Sequence, residues 1–64
     1  MQAHFINYGT GEDFGFREVA VESFKLDSEN RPYMIVSNPF FPGESVRAEY
    51  VFHNEVMKWL VDLD

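Results

Sequence analysis

No residue of this 64-residue chain is a cysteine, so no disulfide and no thiolate-bound metal can hold it folded. A chain this short hides only about 60% of the surface its unfolded form exposes. Small folds commonly add a staple or a partner subunit to compensate. Here the compensation is aromatic: seven phenylalanines, three tyrosines and one tryptophan. Each such ring buries roughly 150–250 Å² when packed. That supply supports one compact domain over residues 1–64 and excludes a disordered chain, which is poor in such residues.

Hydropathy patterning predicts an α+β fold: an antiparallel meander of about four strands with one C-terminal α-helix packed on the sheet. Gln2 to Tyr8 alternates as a strand, and Gly9-Thr10-Gly11-Glu12-Asp13 breaks it. Residues 16–26 fit a helical face through Phe16, Val19, Ala20, Ser23 and Phe24. The polar turn Leu26–Pro32 between two apolar runs argues instead for a hairpin. The strand reading has a phase break near Ser23, which a β-bulge would absorb. Tyr33–Ser37 reads as a strand, and Asn38–Gly43, with Pro39 and Pro42, as a loop. In Ser45–Phe52, Val46, Ala48, Tyr50 and Phe52 share one face, with Arg47, Glu49 and Val51 on the other. Asn54 has the chemistry of an N-cap, and Val56, Trp59, Leu60 and Leu63 follow at helical spacing. The expected core is Phe5, Phe24, Ile35, Tyr50, Phe52, Trp59, Leu60 and Leu63.

Several sequence patterns resemble chemical motifs without their context. Gly9-x-Gly11-x-x-x-Gly15 follows a strand, but Glu12 and Asp13 occupy the place where a pyrophosphate needs bare N–H groups. Asp13-Phe14-Gly15 spells the kinase metal-binding triplet, yet no lysine strand or catalytic loop accompanies it. His4 and His53 lack metal-ligand spacing, so no metal and no cofactor are expected. The serines and Thr10 lie in no nucleophile context. A domain this size also has little volume for a substrate pocket, so the chain reads as non-catalytic.

Eleven carboxylates against five Lys and Arg give a formal charge of −6. Such a surface repels nucleic acid and anionic membrane and favours a basic protein partner. The segment after Met1 has no basic region followed by an apolar run, and no stretch reaches the ~20 apolar residues of a membrane span; a cytoplasmic protein is expected. Glu18, Glu22, Asp27 and Glu29 form the expected acidic patch, flanking the hairpin. Strand residues two apart on one face lie about 6.6 Å from each other. That is near the phosphate spacing along a DNA strand, roughly 7 Å. Phe40 and Phe41, between two prolines, are the expected aromatic anchor, since two adjacent rings cannot both face inward.

The profile as a whole (short, acidic, aromatic, cysteine-free) is similar to that of phage-encoded inhibitors, including anti-CRISPR and other DNA-mimic proteins. The likeness is one of composition and involves no shared motif. It implies a small acidic protein that binds and inhibits a basic, nucleic-acid-binding protein. The alternative is a structural or assembly module, of a virion or multi-subunit complex, pairing through an exposed strand and the Phe40–Phe41 loop.

Overall fold

The computed structural model describes all 64 residues and contains no α-helix. Six strands follow one another: β1 (Gln2–Asn7), β2 (Glu12–Glu18), β3 (Val21–Leu26), β4 (Pro32–Ser37), β5 (Ser45–His53) and β6 (Val56–Asp62). They form one mixed sheet in the order β2-β1-β6-β5-β4-β3. The fold is therefore all-β, which corrects the α+β expectation of four strands and a C-terminal helix.

The segment expected to be a helix is β6. Asn54 does not cap a helix; it has φ 50° and Glu55 has φ 68°. Two successive left-handed residues make the tight reversal of a two-residue hairpin, with His53 opposite Val56. Met57, Trp59 and Val61 alternate with Lys58, Leu60 and Asp62, so a second set of apolar residues in the same segment satisfies a strand period. The strand gains two ladders, antiparallel to β5 and parallel to β1, with His4 opposite Leu60. An isolated helix of this length is marginal in water.

Residues 16–26 are neither one helix nor one strand. β2 and β3 lie at opposite edges of the sheet order, yet only Val19 and Ala20 separate them. They are two arms of one sharply bent strand, and the bend brings the two edges of the sheet together. The Val19 N–H donates to the Met1 carbonyl at 2.8 Å, and the Ser37 N–H donates to the Ala20 carbonyl at 2.9 Å. The Ala20 N–H donates to Ser37 Oγ at 2.9 Å. The parallel β1–β6 pair follows from this topology. Counting the bent strand once leaves an odd number of antiparallel legs, so the first and last run in the same direction.

Two bulges shape the bent strand. Phe5 faces Gly15 and Ile6 faces Asp13, leaving Phe14 unpaired. Gly15 takes φ 74°, a conformation that favours glycine. Phe14 turns toward the interior and packs on Phe40, ring centroids 5.3 Å apart. The second irregularity falls between Val21 and Ser23, where the sequence phase breaks.

The core consists of Ala3, Phe5, Val19, Met34, Val36, Ala48 and Val61, with Phe14, Phe40, Val46, Trp59 and Leu63 packed against it. Ala3 and Ala48 are wholly buried, and their small side chains leave room for the sheet to curl. Phe5, also wholly buried, contributes about 1.5–3 kcal/mol by burial. The expected core is corrected in part. Phe5 belongs to it, Ile35, Trp59, Leu60 and Leu63 are half-buried, and Phe24, Tyr50 and Phe52 are exposed.

Candidate functional site

The exposure of Phe24, Tyr50 and Phe52 follows from strand lengths. β4 pairs with β5 only through Glu49, while β5 runs on to His53 and returns as β6. The β5–β6 hairpin therefore overhangs its neighbour as an arm. Along one face of β5, burial falls from Ala48, fully covered, through Tyr50 to Phe52, 70% exposed. On the facing strand Trp59 stands opposite Tyr50, and Met57 opposite Phe52. From β3, Phe24 (60% exposed) reaches Trp59 edge-on, ring centroids 6.3 Å apart. β3 and β6 are not neighbours in the sheet, so this contact exists only because the sheet curls. Leu26, exposed, shares the strand face of Phe24. The result is an apolar surface carried on strands rather than on a loop.

The opposite face of the same arm carries His53 and the buried Lys58. Lys58, 9% exposed, places Nζ 3.1 Å from His4 Nδ1 and 3.2 Å from His53 Nδ1. An ammonium has three donors and no acceptor, so both imidazoles present a lone pair at Nδ1. His4 then carries its proton on Nε2, which donates to Asp13 Oδ1 at 2.7 Å. The same carboxylate accepts the Gly15 N–H at 2.8 Å. The Gly15 N–H, and after it the His4 hydrogen bond, hold the Asp13 carboxyl below the ordinary aspartate value. Phe16 stacks on His4 at 4.8 Å, with the Lys58 ammonium 5.5 Å from its ring.

Sequence spacing gave no hint that His4 and His53 meet; their rings lie 5.6 Å apart across Lys58. Both ring nitrogens of His4 are engaged, Nδ1 by the Lys58 ammonium and Nε2 by Asp13. No group of three or more His, Cys, Asp or Glu residues is arranged to hold a metal ion.

The expected acidic patch is dispersed. Glu18 accepts a hydrogen bond from the Met1 ammonium at 2.7 Å, and Glu22 accepts one from Ser45 Oγ at 2.7 Å. Both lie beside the Val19–Ala20 bend. Asp27 and Glu29 lie at the β3–β4 turn, so Glu22 and Asp27 are separated by about 16 Å of strand. Asp27 organises that turn: its carboxylate accepts the Glu29 and Arg31 N–H groups at 2.8 and 2.9 Å. The Arg31 N–H is the main reason its carboxyl titrates below the ordinary value. Glu29 pairs with the Arg31 guanidinium at 3.0 Å.

The two adjacent rings of the β4–β5 loop separate. Phe40 turns inward and meets Phe5 edge-on at 5.5 Å, while Phe41 is 59% exposed. Beside them an open cleft of about 530 Å³ runs between Phe14, Asn38, Phe41, Val46 and Leu63. The volume is larger than the chain length led one to expect. Nothing in the sequence marked the arm as exposed, since its alternation is the ordinary signature of a strand with one face packed.

No protein-family model, curated protein or solved structure matches the chain. The chain has no helix long and apolar enough to cross a membrane.

Proposed function

We propose that the chain is a non-catalytic binding module that docks a basic protein through the aromatic face of the β5–β6 arm and β3. The observation that carries this reading is the exposure of Phe24 and Phe52 on strands fixed by backbone ladders. Exposed rings on a rigid support lose little conformational freedom on binding, which favours an aromatic anchor. The formal charge of −6 selects a basic partner and speeds its approach. A partner whose basic surface serves nucleic acid would be inhibited by that occupancy.

The test uses the immobilised full chain at low salt, with identification of the retained proteins and measurement of their affinity. Basic proteins held by the wild type and lost with Phe52→Ser, but kept with Phe41→Ser, are the expected result. Loss with Phe41→Ser alone would overturn it in favour of an assembly module pairing through the β4–β5 loop. Retention indifferent to both substitutions would overturn the aromatic anchor and assign capture to charge alone.

A further inference from the structure

Aromatic rings serve as cation seats elsewhere in this chain. Of the five Lys and Arg residues, Arg47 lies 3.8 Å from the Tyr33 ring centre, Arg17 5.2 Å from that of Phe40, and Lys58 5.5 Å from that of Phe16. Arg31 is held by Asp27 and Glu29. Strand alternation turns the remaining cation, Lys25, away from its neighbour Phe24. No cation of the chain therefore lies over Phe24, Tyr50 or Trp59, although Phe24 and Tyr50 are exposed. Trp59 meets Tyr50 at 5.0 Å with planes tilted by 46°, and Phe24 at 6.3 Å with planes at 78°.

We infer that the corner formed by Phe24, Tyr50 and Trp59 receives a cationic side chain of the partner, an arginine guanidinium. The inference rests on the docking face proposed above and names what the partner places there. Ring faces carry negative potential and attract a cation within about 6 Å of the centroid. Guanidinium is weakly hydrated and planar, so it stacks on a ring with less desolvation than an ammonium. Phe24 and Tyr50 are both exposed, so their ring faces are open for a guanidinium to stack on. The surrounding net charge disfavours a second copy of this chain as the occupant.

Trp59 is the only tryptophan, so its fluorescence reports on this corner directly. The probes are three decapeptides of alternating glycine with arginine, with lysine, or with citrulline, the neutral isostere of arginine. Titrated into the full chain, the arginine peptide changes Trp59 emission and binds more tightly than the lysine peptide. The citrulline peptide binds at least several-fold more weakly than either. Phe24→Leu, a change at an exposed position, weakens the arginine peptide about two- to fivefold, the range of an exposed cation–π contact. It leaves the citrulline peptide unaffected.

Equal affinity for arginine and citrulline peptides would overturn the inference. So would an arginine affinity insensitive to both Phe24→Leu and Tyr50→Leu, or an absence of binding by any peptide. If partner capture still depends on Phe52 in those cases, the docking face stands and only its cationic occupant is wrong. If capture is also indifferent to Phe52→Ser, the docking reading fails with it.

Discussion

The ammonium of Lys58 lies 3.1 Å from Nδ1 of His4, on the side of the β5–β6 arm where this lysine is buried although charged. On the other face of that arm Tyr50 and Phe52 are exposed. This inversion follows from what each side meets. Phe16 and His4 cover the polar side, and at Phe52 no strand covers the apolar one.

A double-mutant cycle tests the His4–Lys58 contact. His4→Phe removes one of the two acceptors of a buried ammonium and should cost about 2 kcal/mol, as for a hydrogen bond to a charged group. In a Lys58→Met background the donor is gone, so the same change should cost clearly less. Urea denaturation of the four proteins measures both values. Identical costs in the two backgrounds would show that the lysine and the histidine are energetically independent.

Burial separates two phenylalanines that look equivalent in sequence. Phe5→Ala should destabilise by about 3–5 kcal/mol, enough to unfold a domain this small. Phe52→Ser should change stability by no more than about 0.5 kcal/mol, as expected of a surface position. Thermal melts decide between them. Substantial destabilisation by Phe52→Ser would mean that the arm packs on its own aromatic face.

The β5–β6 turn holds a glutamate where the backbone favours glycine. Glu55 at φ 68° carries the strain of a left-handed residue with a Cβ. Glu55→Gly should raise stability by roughly 1 kcal/mol, because it completes the Asn-Gly pair favoured in this hairpin. A lower melting temperature in the variant would mean that Glu55 makes a compensating interaction.

Acid sensitivity should trace in part to Asp27. Its carboxyl titrates below the ordinary aspartate value in the folded state, chiefly through the Arg31 N–H. The folded chain therefore takes up this proton less readily than the unfolded chain. The contribution to stability is complete above the ordinary value of about 3.9 and disappears as pH falls through the lower folded value. The gap in melting temperature between wild type and Asp27→Asn should be widest near neutrality, narrow below about pH 4, and close beneath the folded value. A gap that persists unchanged into strong acid would assign the effect to side-chain geometry rather than charge.

Local pattern alone determined a good deal. The alternation of β1, the β3–β4 hairpin, the shared face of Val46, Ala48, Tyr50 and Phe52, and the bulge near Ser23 were all legible, because each depends on residues close in the chain. Whether Val56–Leu63 coils or extends was not, since its spacing satisfies both periods and the parallel contact with β1 is a long-range one. The exposed arm escaped the sequence for a related reason. Alternation tells which residues share a face, but the neighbouring strands decide whether that face is covered, and β4 pairs with β5 only as far as Glu49. The meeting of His4, Lys58 and His53 required the side-by-side pairing of β1, β6 and β5, and that of Phe24 with Trp59 required the Val19–Ala20 bend that curls the sheet. Pairings between distant strands leave no mark in local periodicity, and here those pairings set which surface remains free to bind.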